Sequence, residues 1–334
     1  QLMTIDNGSD TNTVMLQFNT SDKLRVYLLD TSTALTIDWK STRVFRDPHA
    51  WYFFTFTMNT VPSTPIFKVW NWNDEITLWD KSTADSLAQD DVFEVGTAGA
   101  RYEIGDFENG TGRFFDGYLA QCGYMDGTVV TSPVDGGLIE LDDNGVYRPL
   151  DVSGLNYGTA GHFLDFSSST IGTGGTSQLG SDISGAGNHF NSDAGGLAVA
   201  DRVTDTPTNN HCIFSPIWSG EGGDATFSDG NLTVAMANNS AAVGNIFVDI
   251  ADADGWYFEV HYDSATSYGG VGVVALDGIS SLADSLYASI TAGATSNPGN
   301  GGYAFLPASG QKRHGGGSDA TYGGAPSVDS YIQC

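Results

Sequence analysis

The chain has 334 residues, 40% of them hydrophobic, enough for a sizeable core or for two to three domains of about 100–200 residues each. Its 13 basic residues face 40 acidic ones, and the formal net charge of −27 argues against nucleic acid and anionic membranes as partners. Only 16% of residues are charged and 43 are Gly, a composition of short strands joined by many turns rather than of helix bundles.

Residues 1–150 read as alternating strands. Val14, Leu16 and Phe18 alternate, then Leu24, Val26 and Leu28, with a polar Thr-Ser-Asp break between the runs. In WYFFTFTMN, Phe54, Phe56 and Met58 alternate against Thr55, Thr57 and Asn59. In IFKVWNWN, Phe67, Val69, Asn71 and Asn73 alternate against Ile66, Lys68, Trp70 and Trp72. Period 2 with regular polar turns predicts an antiparallel sandwich. In RFFDGYLAQCGYMDG, an Asp-Gly pair stands at each end of a run that places Ala120, Cys122 and Tyr124 on one side, toward the core.

Residues 151–218 are rich in Gly, Ser, Asn and Thr but keep Phe163, Phe166 and Phe190, so they read as an ordered, loop-rich connector. Residues 219–334 begin a second set of strands. FSDGNLTVAM follows an Asp-Gly turn, and in GWYFEVHYD the residues Trp256, Phe258 and Val260 alternate against Tyr257, Glu259 and His261. GGVGVVALDG follows, and SSLADSLYASI (280–290) is a candidate short helix or lid.

Three cysteines, Cys122, Cys212 and Cys334, lie far apart without CxxC spacing, and an odd number is no complete disulfide framework. Cys122 reads as a small buried apolar residue. No apolar run reaches the ~18 residues of a spanning helix, and no membrane insertion is expected. The chain starts at Gln1 in strand-like text and stops inside the apolar run VDSYIQC, so both ends are expected to be cut from a longer polypeptide.

VFRDPHAWYFF, FFDGYLAQCGYMDG, NGVYRPLD, YGTAGHFLDFSSS, SDISGAGNHF and VTDTPTNNHCIFSP occur in this order between residues 43 and 218. As a set they resemble a family of concanavalin-A-like, laminin-G-like proteins of tailed phages, usually tail fibre or virion structural proteins. SDGNLTV, GWYFEV, GVGVV and GYAFLPASGQKRHGG, within residues 227–334, resemble the start of a SPRY-type sandwich. The resemblance implies an all-β chain: a concanavalin-A-like jelly-roll sandwich over 1–150, the connector over 151–218, and a second, unfinished SPRY-like sandwich over 219–334. It implies a non-enzymatic protein of the virion surface, a tail fibre or related appendage. Such a subunit associates with other virion proteins and with itself, trimers being common, and adheres to host-surface glycans. A purely structural head or tail decoration or filament subunit is one alternative, and a glycan-degrading enzyme is the second. No site residues are carried over from the family.

The residues themselves offer two candidate sites. Trp70, Trp72 and Trp79, with Asn71, Asn73, Asp74 and Glu75, combine rings that stack on sugar CH faces with groups that pair with hydroxyls. In a regular strand Trp70 and Trp72 share a face, though a core or a subunit contact uses tryptophans as well. ELDDNGVYRPLD partly matches a calcium loop: Glu140, Asp142 and Asn144 at positions 1, 3 and 5, Gly145 at 6 and Asp151 at 12. Pro149 and the missing bidentate Glu speak against it, and a plain Asn-Gly turn explains the same residues. No cofactor is required, calcium being the one considered. For glycan hydrolysis, Glu103 and Asp106 lie three residues apart and point to opposite faces of a regular strand, so no catalytic residue is expected.

Overall fold

The computed structural model describes the chain apart from residues 9–11, 33, 83–85, 108–113, 193–196, 218–224, 237–241, 247–254, 265–269, 274–302, 308, 315–319, 322, 324, 326–329 and 334. The candidate helix at 280–290 lies outside the described residues. Among those described, the protein is all-β, with one 3-10 turn at Val199–Asp201 and no α-helix. Two compact units divide the chain, Gln1–Asn210 and His211–Cys334, so residues 151–210 belong to the first unit.

The first unit begins with β1 (Met3–Asp6), β2 (Val14–Phe18), β3 (Lys23–Leu29) and β4 (Leu35–Val44), an antiparallel meander. β5 (Phe54–Asn59), β6 (Ile66–Asn71) and β7 (Asp74–Glu75) form a separate three-stranded sheet. β8 (Trp79–Lys81) and β9 (Arg101–Ile104) then close the two edges of the meander, in the order β8-β4-β3-β2-β1-β9. The alternation read from β3 is the burial pattern observed: Leu24, Val26 and Leu28 are buried, and Arg25 and Tyr27 are less so. Together with Ile5, Val14, Leu16, Ile37, Trp39 and Phe45 they meet Val69 from β6, with Phe54, Phe56, Met58 and Phe67 packed against the same core. A core shared between two sheets makes this a sandwich.

The second face of β5–β6 is also covered. Thr55 and Thr57 are more buried than the phenylalanines that flank them, and the Thr57 hydroxyl donates to the Val130 carbonyl at 2.9 Å. Polar residues on a strand can therefore face a second layer, here built by the chain around residue 130. At the sheet edge Asp6 of β1 lies opposite Arg101 of β9, and the guanidinium makes two bonds to its carboxylate, at 3.1 and 2.8 Å. Asp6 is 1% exposed, so this is a buried charge held by a forked partner.

The run after residue 113 is not one continuous strand. β10 is only Cys122–Tyr124, and it pairs with β13 (His162–Leu164) after the hairpin of β11 (Ile139–Leu141) and β12 (Tyr147–Pro149). Cys122 and Tyr124 are half-buried, and the Tyr124 ring lies 6.0 Å from that of Tyr102, which packs on the main core. Enclosure in apolar surroundings pushes the Cys122 thiol up to about 12. Gly127 of the second Asp-Gly pair is left-handed at φ 73°, the conformation expected of the turn.

From Asp151 to Ser192 the only strand is β13, yet the chain is ordered by side-chain bonds to backbone. The Asp182 carboxylate accepts from the N–H groups of Phe163, Ser184 and Asn188 at 2.8–2.9 Å. The Asn188 amide donates to the carbonyls of Thr159 and Gly161. A small core of Val152, Tyr157 and Phe163 lies beside them.

The second unit contains the hairpin β14 (Ala225–Ser228)–β15 (Thr233–Met236). β16 (Glu259–Tyr262) pairs with the far β21 (Ser330–Gln333). β17 (Val271–Val273), β18 (Tyr303–Leu306), β19 (Gln311–His314) and β20 (Ala320–Thr321) make a four-stranded antiparallel sheet.

Candidate functional site

The tryptophans do not form one cluster. β6 ends at Asn71, which pairs with Asp74, and Trp72-Asn73 is the two-residue turn between β6 and β7. Trp72 has a left-handed backbone, φ 53°, which is costly for a bulky side chain, so the regular strand that would put Trp70 and Trp72 on one face ends before Trp72. Trp70 lies opposite Thr55 on the covered face and is 2% exposed, with the Lys68 ammonium 5.7 Å from its ring centroid. Trp79 packs on the main core, 5.7 Å from Trp39, and its indole N–H donates to the Ile76 carbonyl. Burial removes Trp70 from ligand stacking, and core packing occupies Trp79.

Trp72 enters a different arrangement. Its backbone N–H donates to the Phe53 carbonyl at 2.6 Å and its indole N–H to the Trp51 carbonyl at 3.3 Å. Its ring stacks with Phe53, centroids 5.5 Å apart at 25°, and with Tyr147, 6.4 Å apart at 14°. Trp51 is tethered in turn, its indole N–H donating to buried Asp205 at 2.9 Å. The left-handed turn, which costs about 1–3 kcal/mol, is over-determined by these contacts. Trp72, Phe53 and Tyr147 remain half-buried, so the stack reaches the surface without being free of the fold. Asn73 accepts a long bond, 3.4 Å, from the Val134 N–H, and exposed Asp74 pairs with Arg43.

Tyr147 and Phe53 are the members of this site that sequence reasoning missed. Both lie in quoted motifs, NGVYRPLD and WYFF, but their meeting requires the hairpin β11–β12 to approach the β6–β7 turn, which no local period encodes.

In that hairpin the residues of the calcium-like loop are engaged with one another. The Asp142 carboxylate accepts from the N–H groups of Asn144 and Val146 at 2.9 Å and from the Arg148 Nε at 2.8 Å. The Val146 N–H, followed by that of Asn144 and the Arg148 charge, holds its carboxyl below the usual carboxylate range. Glu140 is exposed and lies across the ladder from Arg148. Gly145 is left-handed at φ 78° and its N–H returns to the Asp142 carbonyl. The observed geometry is that of an Asx-capped Asn-Gly turn. Among the described residues no group of three or more His, Cys, Asp or Glu is placed to hold a metal ion. Glu103, weighed for hydrolysis, lies 3.5 Å from Arg101 in the network that also contains Asp6.

A second cluster concentrates perturbed groups. His162 is 1% exposed and ringed by Tyr102 at 5.4 Å, Tyr124 at 6.1 Å and Phe190 at 4.7 Å. Its Nε2 finds no hydrogen-bond partner among the described residues, and desolvation pushes its pKa down to about 4, against the opposing pull of the Asp182 charge. Burial likewise raises the Tyr102 and Tyr124 hydroxyls. A neutral imidazole wedged among rings under a tethered loop is a packing element.

Comparison with protein-family models, with curated proteins and with solved structures finds no match to this chain.

Proposed function

We propose that the protein is a non-enzymatic adhesive subunit of a virion surface appendage, with a concanavalin-like first unit and a SPRY-like second, and that it binds host-surface glycans. The observation that supports this reading is the Phe53–Trp72–Tyr147 stack, a ring assembly at the surface on a strained, over-determined turn. Half-buried aromatic rings with an amide and carboxylates on the adjoining residues suit a saccharide, whose CH face stacks and whose hydroxyls pair. A single shallow platform binds weakly, and self-association, as in a trimeric fibre, would raise the avidity.

The test is a glycan array and a whole-cell adhesion assay with the assembled protein, run with and without calcium, comparing the natural chain with Tyr147→Ala. Binding that falls about tenfold in the variant, with an unchanged circular dichroism spectrum, supports the reading. No binding to any glycan or cell by the intact oligomer leaves a structural decoration, and new reducing ends released from host polysaccharide indicate an enzyme.

A further inference from the structure

The second unit presents a face that the first-unit stack does not explain. β16 lies antiparallel to β21, with Val260 opposite Ile332 and His261 opposite Tyr331. Ile332 is buried, so Val260 and Tyr262 point inward and Glu259 and His261 point outward with Tyr331. Continuing the alternation, Tyr257 and Asp263 are exposed beyond the two ends of the strand. Tyr257 is 64% and Tyr331 61% exposed, among the largest exposures of any aromatic ring in the described residues.

The polar groups on this face are arranged around the rings. The Tyr257 hydroxyl donates to Glu259 Oε2 at 2.8 Å. The His261 ring touches that of Tyr331, centroids 4.7 Å apart, and its Nδ1 pairs with Asp263. The acidic side chains at these positions are Glu259 and Asp263, and none of the five is Lys or Arg. Two broad rings therefore lie beside two carboxylates, in a chain of net charge −27. Ring faces attract CH groups and cations, and carboxylates accept from hydroxyl and ammonium donors while repelling acids. A ligand complementary to all of these has a flat CH face, several hydroxyls and a positive charge.

We propose that Tyr257, Glu259, His261, Asp263 and Tyr331 form a second saccharide platform, selective for sugars that carry a free amino group. This deepens the adhesion reading and rests on it for its biological setting, while its residues are separate from the Phe53–Trp72–Tyr147 stack. A free amine adds an attraction that its acetylated form lacks, whereas stacking and hydroxyl pairing are common to both.

Calorimetric titration of the full chain with glucosamine tetramer, N-acetylglucosamine tetramer and galacturonate tetramer tests it at about 0.15 M salt, where long-range attraction is screened. The glucosamine tetramer is expected to bind about tenfold more tightly than the acetylated one, and galacturonate not to bind. Tyr331→Ala is expected to weaken the glucosamine tetramer about tenfold and Glu259→Gln to erase its advantage over the acetylated form, both with unchanged circular dichroism. Tyr331→Phe keeps the ring and is expected to retain most of the binding, which guards against a misfolded alanine variant. Equal affinity for the two tetramers, or equal binding of tetralysine, overturns the proposal, the second outcome indicating a basic-peptide site. Amino-sugar binding lost in Tyr147→Ala but intact in Tyr331→Ala overturns this platform and leaves the adhesion reading standing. Tyr331-dependent binding without cell adhesion sinks the adhesion reading and leaves the platform.

Discussion

The sandwich of β1–β9 and the loop-rich stretch 151–192 belong to one unit but are ordered by different forces. In the sandwich, Leu24, Val26 and Ile37 are fully buried and two sheets share one apolar core. In the stretch, Val152, Tyr157 and Phe163 make only a small core, and the chain is fixed by Asp182, Asn188 and Ser192 bonding to backbone groups. Apolar burial is non-directional and tolerates reshaping. A carboxylate that accepts three N–H groups tolerates little, because each donor left buried costs about 1–3 kcal/mol. Gly- and Ser-rich sequence is therefore not evidence of disorder where a few polar side chains can satisfy the backbone.

The sharpest break should come where the sandwich itself relies on charge. Arg101→Ala leaves the buried Asp6 carboxylate without its counter-charge and is expected to cost about 3–5 kcal/mol in denaturant unfolding. Leu24→Ala is expected to cost about 3 kcal/mol through lost transfer energy and a cavity, whereas Leu179→Ala, at a half-buried site in the loop stretch, should cost about 1 kcal/mol or less. Equal costs at the two leucines would erase the contrast.

Acid should separate the two regions as well. His162 has a folded pKa of about 4, below its unfolded value near 6.5, so the unfolded chain takes up the proton first. The stability contributed by the neutral imidazole is complete above pH 6.5 and is lost as pH falls through about 4, up to about 3 kcal/mol in all. The Asp182 carboxyl, desolvated but held below its usual value by its Ser184, Phe163 and Asn188 bonds, loses its contribution at still lower pH. Hydrogen exchange across pH 7 to 4 should show β13 and the chain over it opening before β3, and His162→Phe should flatten the upper part of the slope. Uniform loss of protection would show that the stretch is no separate element.

Asp182→Ala is expected to cost about 2 kcal/mol, read mainly as local opening around Phe163 and Asn188. The smallest effect on stability belongs to Tyr147→Ala, under about 1 kcal/mol, because half-buried Tyr147 lies opposite exposed Leu141, toward the turn of its hairpin and away from the buried Ile139–Pro149 pair. A large loss there would make the stack a structural clasp instead of a binding surface.

Much of the fold was legible because strand periodicity is local. The alternations of β3, β5, β6 and β16 match the observed faces, including Tyr257, Glu259 and His261 against Val260. Trp256 is an exception, exposed where the alternation would bury it, since it precedes the strand. The candidate tryptophan cluster failed for a related reason: one left-handed residue, Trp72, ended the period on which the shared face depended. The Asx turn at Asp142 was written in its own residues, as Asp, Asn and Gly spacing specifies it locally.

The sequence alone determined the all-β class, the strand faces and the turn chemistry, because each depends on residues within a few positions of one another. Tertiary structure alone decided that Thr55 and Thr57 would lie under a second layer, that Asp6 would be neutralised by Arg101, and that Tyr147 would meet Trp72. Those contacts join residues 73 to 95 positions apart, and only the balance of burial against buried charge over the whole unit selects them.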